Sequence, residues 1–274
     1  MLLNMRLMLP LLLCLAVLPV FGQERRPSHC IALVENTPGL DVIPVSFAEP
    51  VPEHSVRLHY IDHSMVLIVA EDGTAAVTDY NGYLGPTAFV PDVVTMNNAH
   101  STHWTALPDP KIPHVLEGWG TVQTPQEHWL DLGAMVVRNV HTDTRSGFGE
   151  ARVNGNSIFV FEAAGLCIGH LGHLHHVPDA NQFAAIGRLD VVMAPVDGGL
   201  TLTRSELIET LQRFRSSIVI PIHAFGLRTL AQFLEDMSTD FDVEIVDGPS
   251  LEVSLRSLPD RPTIMVLRPV FLSD

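Results

Sequence analysis

Gly165-Leu166-Cys167-Ile168-Gly169-His170-Leu171-Gly172-His173-Leu174-His175-His176 is the stretch on which the fold turns. A short apolar run of strand type reaches Gly169 and then gives way to four histidines within seven residues. Two other runs end in the same way. PDVVTM (Pro91 to Met96) precedes His100 and His103, and SIVIPI (Ser217 to Ile222) precedes His223. Unbroken apolar runs of this length suit strands buried on both faces, and neutral imidazole is a good ligand for zinc and similar ions. Seven of the 14 histidines fall at these three strand ends. Ends so distant in sequence can share a site only if sheets bring them together, which is the outline of a metal-dependent hydrolase.

Working outward, period-two patterns at Val56 to Ile61, Met65 to Ala70 and Ala75 to Thr78, with a turn at Glu71-Asp72-Gly73, predict a strand meander over residues 55–79. Tyr80 to Pro91 reads as a loop, and three prolines between His103 and Pro113 exclude a long helix there. Further strands are predicted at 134–140, 157–162 and 189–196, with Thr142 to Gly155 as a variable loop. Thr203 and Glu206 have capping-box spacing, and Leu207, Ile208, Leu211 and Phe214 form an apolar stripe, so a helix is predicted over 204–214. A strand at 218–222, a helix at 228–237 and two short strands complete the chain. Strands in both halves with later βα units suit two sheets packed face to face with helices outside.

Met1 to Arg6 carries one positive charge and Leu7 to Val20 is almost wholly apolar, so residues 1–22 read as an export signal cleaved before Gln23. That stretch is short for a membrane span and is broken by Pro10 and Pro19; an uncleaved anchor is the alternative. The expectation is a periplasmic or secreted protein with no stable membrane anchor, an extended N-terminal segment over 23–54 and one domain over 55–274. The chain has 16 Lys and Arg against 31 Asp and Glu, a net charge of −15. Such a surface repels phosphate backbones, which excludes nucleic acid and makes anionic membranes poor partners. Cys30 and Cys167 read equally well as a disulfide or as two buried thiols, and neither has C-x-x-C spacing. No G-x-S-x-G nucleophile elbow and no phosphate-cradling glycine loop occurs.

From about Ser55 to Phe233 the chain resembles the metallo-β-lactamase superfamily, in the branch of zinc-dependent hydrolases. The likeness is carried by Val77-Thr78-Asp79, Pro91 to His103, Asn156 to Gly199 and Ile218 to His223. It implies an αββα four-layer sandwich of the α/β class. The family's H-x-H-x-D-H motif aligns with Asn98-Ala99-His100-Ser101-Thr102-His103, so Asn98 and Thr102 replace a histidine and an aspartate. Its H-L-G-D-L-G-H aligns with His170 to His176, placing His173 where the family has an aspartate that bridges two metals. Its P-x-H is intact as Pro221-Ile222-His223.

Neutral imidazole cannot bridge two ions, and the lost carboxylates no longer offset two divalent charges, so the resemblance implies one metal ion. His100, His103, His173 and His223 are the expected ligands, of zinc in the first place or of iron or manganese. Three histidines plus water is an established catalytic zinc arrangement, in which a metal-bound hydroxide attacks a carbonyl or phosphoryl centre of a small-molecule substrate. Asn98 and Thr102 are candidate catalytic groups that orient water or substrate. His170, His176, His141 and Asp79 are candidates for an additional ligand or for bracing the ligands from behind. Asp197 reads as shaping a turn, His59 and His63 as structural, His175 as exposed, and His29, His54, His114 and His128 as incidental loop residues. Two rival readings remain: a non-catalytic member that binds a ligand or partner, and a periplasmic zinc- or copper-binding protein using His170 to His176. Oligomeric state is not legible.

Overall fold

The computed structural model describes Arg26, residues 28–31, 47–145 and 151–274. The expected export signal lies outside the described residues, as does most of the expected N-terminal segment. Among the described residues the chain runs β1 (Ser55–Asp62), β2 (Met65–Ala70), β3 (Ala75–Val77), β4 (Val93–Met96), β5 (His114–Glu117), β6 (Trp129–Asp131), β7 (Met135–Arg145), β8 (Ala151–Ala163), β9 (Leu166–His170), α1 (Ala180–Ile186), β10 (Val191–Pro195), α2 (Arg204–Phe214), β11 (Ile218–Ile222), α3 (Leu227–Met237), β12 (Asp242–Ile245), β13 (Ser250–Ser254) and β14 (Thr263–Val266).

Six strands form one sheet in the order β13-β1-β2-β3-β4-β5, and eight form the other in the order β12-β14-β11-β10-β9-β8-β7-β6. The meander β1-β2-β3 is antiparallel, and β4 and β5 then add in parallel. In the second sheet β9, β10 and β11 are parallel neighbours, so the histidine-bearing ends of β9 and β11 lie at the same end of the sheet. The core between the sheets takes Val56, Leu58, Val66 and Ile68 from one side and Val137, Phe159, Ile168, Met193 and Ile220 from the other. The helices pack on the outer face of the eight-stranded sheet through Ile186, Leu207, Leu211, Phe233 and Met237. This is the αββα sandwich, with one outer layer reduced. On the six-stranded sheet the cover is coil, anchored by Tyr80, Leu84, Phe89, Trp104, Ile112 and Trp119. The prolines that exclude a helix there also explain why the layer is coil.

Three local expectations need correction. The variable loop at Thr142 to Gly155 is mostly a hairpin: β7 and β8 stay paired out to Arg145↔Ala151, with a register shift between Thr142 and Thr144. Its polar residues hid the strand pattern, because the side chains buried there, Thr142 and Thr144, are themselves polar, while Ala151, Arg152 and Val153 are exposed. His114 belongs to β5, not to a loop. Helix α1 was missed because it is seven residues long, although Asp179 and Gln182 form its capping box. Cys30 and Cys167 are joined in a disulfide, with Cα atoms 5.7 Å apart. No helix among the described residues is long and apolar enough to cross a membrane.

Candidate metal centre

Two histidines, each backed by a buried carboxylate, face one another. His103, fully buried, points Nδ1 at Asp79 Oδ2, 2.5 Å away. Asp79 follows β3 in the left-handed region (φ 45°), and its other oxygen accepts the Asn97 amide at 2.9 Å. His223 follows β11, also left-handed (φ 58°), and its Nδ1 lies 3.1 Å from Asp197 Oδ2, tilted off the ideal hydrogen-bond line. A carboxylate beside Nδ1 keeps the proton there and leaves the lone pair on Nε2. The two Nε2 atoms stand 3.1 Å apart. Two lone pairs at that distance repel unless a cation lies between them. Two nitrogens bound to one tetrahedral zinc at about 2.0–2.1 Å are roughly 3.3 Å apart, so the pair fits a metal.

A third ring enters from the β1–β2 turn. The His223 amide donates to the His63 carbonyl at 2.7 Å, tying that turn to the end of β11. The His63 ring then lies 4.0 Å from the His223 ring, and its Nε2 is buried without a hydrogen-bond partner. Ligand nitrogens of His63, His103 and His223 lie within 4.8 Å of one another, as do those of His100, His103 and His173. His103 is common to both groups. The His173 ring stands perpendicular to His103 at 4.9 Å and stacks on His100 at 5.4 Å.

Burial favours the neutral form of four histidines of the cluster. It lowers His63 and His103 to about 3, His173 to about 2 and His175 to about 4, and charge repulsion between neighbouring rings, with Arg145 beside His175, acts in the same direction. Burial also raises Asp79 to about 6, against the stabilising effects of His170 and the Asn97 amide. For Asp197 burial is outweighed: His223 and the amides of Gly199 and Thr201 hold its carboxyl well below the usual range. Neutral imidazoles with oriented lone pairs are what a soft-to-borderline divalent cation requires.

The beta-lactamase superfamily domain matches residues 57–223, which include every one of these rings. The chain belongs to the metallo-β-lactamase superfamily. A candidate zinc-dependent hydrolase of the metallo-β-lactamase superfamily from Thermotoga maritima is similar in structure, with 22% identity, a TM-score of 0.55 and coverage of 77% of this chain and 98% of that one. Igni18, a metallo hydrolase from Ignicoccus hospitalis, is similar at 14% identity and a TM-score of 0.50, covering 68% and 91%. A candidate metal-dependent hydrolase from Parabacteroides distasonis follows at 12% identity and a TM-score of 0.50, covering 66% and 88%. At such identities these likenesses establish the fold. No curated protein matches the chain.

Within the superfamily pattern, the structure brings His100, His103, His173 and His223 together and adds His63, which sequence reading took as structural. His63 does follow a buried strand, β1, as the other site histidines follow theirs, and that signal was available. Thr102 touches the cluster through His100, its Oγ1 lying 3.2 Å from Nδ1. Asn98 is buried and bridged by its backbone to Asn156. His170 is fully buried with both nitrogens engaged: Nε2 donates to the Ser64 carbonyl at 2.9 Å, and Nδ1 faces the Gly172 amide at 3.2 Å and Asn97 Nδ2 at 3.1 Å. It therefore holds the site's floor. His176 ties its loop to β7, accepting the Asp143 amide at 3.1 Å, and His141 lies on β7, where its carbonyl accepts Gln182. His175, expected to be exposed, is buried. Asp197 shapes its turn as expected, accepting the Gly199 and Leu200 amides, and also backs His223.

Proposed function

We propose that this superfamily member is an exported hydrolase that uses one divalent metal ion, held by Nε2 of His103, His223 and His63, to activate water against a small-molecule carbonyl or phosphoryl substrate. The observation that carries this reading is the 3.1 Å approach of two Nε2 atoms whose rings are each backed by a buried carboxylate. Charge supports a single ion. Asp79 and Asp197 supply two negative charges against the rings and match one divalent cation, whereas a second would leave two positive charges uncompensated in a buried site. The nitrogen donors favour zinc over iron or manganese. A divalent ion held there by His63, His103 and His223 would supply Lewis acidity, lowering the pKa of bound water from 15.7 to roughly 7. The protein's part is to fix the tautomers through Asp79 and Asp197 and to hold substrate beside Thr102 and His100, at the exposed side of the cluster. The Cys30–Cys167 disulfide supports an oxidising compartment, hence a periplasmic or secreted location.

The test is elemental analysis of the mature protein. About one zinc per chain in the wild type, lost in His103→Ala, His223→Ala and His63→Ala, is the expected result. Two ions per chain would refute the mononuclear site. A folded protein that takes up no metal would refute the hydrolase and favour a binding role.

A further inference from the structure

His173 stands at the cluster, yet the hydrogen bonds behind it decide what it can offer. The backbone N–H of Arg145 donates to His175 Nδ1 at 3.0 Å. Nδ1 of His175 is therefore an acceptor and carries no proton. A neutral imidazole has one N–H, so His175 must carry it on Nε2. That nitrogen lies 2.5 Å from His173 Nδ1. The proton is directed at His173, so His173 Nδ1 accepts and its own proton resides on Nε2. The opposite order fails: if His173 donated to His175 Nε2, the proton of His175 would sit on Nδ1, facing the Arg145 N–H donor to donor.

We infer that His173 is a hydrogen-bond donor in this site, presenting Nε2–H to an anionic or developing oxyanion of the substrate, and that His175 and Arg145 are the positioning residues that set its tautomer. A ring with its free nitrogen protonated has no lone pair for a metal, which agrees with the proposed ligand set of His63, His103 and His223. The inference rests on the proposed hydrolase for its oxyanion, but the tautomer is readable without metal. Arg145 is itself fixed at the end of β7, where its guanidinium donates to the Thr201 carbonyl at 2.6 Å. His173 is further held by its own amide, which donates to Asn156 Oδ1 at 2.8 Å. A preorganised N–H aimed where negative charge develops is the arrangement that stabilises such a transition state.

The experiment is long-range proton–nitrogen NMR on mature protein labelled with ¹⁵N-histidine, with His173→Ala and His175→Phe spectra for assignment. In metal-free protein, His173 should show a pyrrole-type Nε2 and a pyridine-type Nδ1; the reverse pattern overturns the inference. His175→Phe should release that fixed tautomer into a mixture, which a merely space-filling His175 would not do. One equivalent of zinc should perturb His63, His103 and His223 and leave the His173 tautomer unchanged. Acetate, a simple oxyanion probe, should shift the His173 Nε2–H signal, and an unmoved signal at saturation counts against the donor role. His173→Ala should keep the wild-type zinc content. Loss of zinc in that variant makes His173 a ligand and overturns the inference while leaving the hydrolase intact. A wild type that takes up no zinc refutes the hydrolase, and the metal-free spectrum then still decides the tautomer.

Discussion

Replacing Asp79 by asparagine should separate metal binding from folding. Asp79 is fully buried, and each of its oxygens takes a different N–H: Oδ1 the Asn97 amide at 2.9 Å, Oδ2 the His103 ring at 2.5 Å. An asparagine side chain has one acceptor oxygen and an NH2, so it satisfies one donor and turns its own hydrogens on the other. Leaving that buried donor without an acceptor costs about 1–3 kcal/mol. Charge acts in the opposite sense. Burial lifts the Asp79 carboxyl from 3.8 to about 6, so the folded, metal-free protein holds that proton more tightly than the unfolded chain. Stability therefore falls as pH rises between those values, and at pH 7 the whole penalty is present, roughly 3 kcal/mol at 1.36 kcal/mol per pH unit. Asparagine removes it. The two effects cancel to within about 2 kcal/mol, which for a domain of this size moves Tm by no more than roughly 8 °C. Zinc binding has no such compensation, because the substituted side chain neither fixes the His103 tautomer by charge nor offsets the ion; affinity should fall about 10- to 100-fold. Competition against a fluorescent chelator measures the first quantity and thermal melts after chelation the second. Unchanged zinc affinity, or a metal-free Tm lowered by 15 °C or more, would refute this reasoning.

Three further outcomes follow from the geometry. Because burial lowers His63, His103, His173 and His175 well below 6.5, the unfolded chain takes up protons that the folded one does not. Their contribution to metal-free stability is complete above about pH 6.5 and is lost below it, so the urea midpoint should drop between pH 7.5 and 5; equal midpoints would contradict it. The Cys30–Cys167 bridge joins residues 137 apart, and loop-closure entropy values such a cross-link at about 4–5 kcal/mol, to be read from urea unfolding with and without reductant. A wild type indifferent to reductant would argue against the bridge. Gly172 has φ 60°, and an added Cβ would lie 2.7 Å from Asn156 Oδ1 and closer still to Asn97. Gly172→Ala should cost about 2–4 kcal/mol and weaken zinc binding, since the same loop carries His173; a melt and an affinity at wild-type values would show the approach to be looser.

What the sequence disclosed depended on how local the controlling physics was. Helix α2 was predicted at the bounds it has, because Thr203, Glu206 and the Leu207–Leu211 stripe encode its start and its buried face within one segment. Strands β4, β9, β10 and β11 were visible because strands covered on both faces are almost wholly apolar. Strands β5 and β6 carry exposed or half-buried residues, as do the outer ends of β7 and β8, so no continuous apolar run marked them. The disulfide stayed open in the sequence because pairing depends on a Cα separation that only the fold supplies.

The site divides in the same way. Its residue types were legible as histidines that follow buried strands, but their roles were not, because a histidine's role follows from which nitrogen holds the proton. That choice is made by neighbours far away in sequence: Asp79 for His103, Asp197 for His223, the Ser64 carbonyl for His170. His170 ends the buried strand β9 and His223 directly follows β11, yet one has both nitrogens committed to the protein and the other has Nε2 turned to its counterpart on His103. Motif position alone would make both ligands. The hydrogen-bond partner at the second nitrogen is therefore the better discriminator, and it is why the proposed ligand set takes His63, whose Nε2 is buried and unengaged, ahead of His170 and His176.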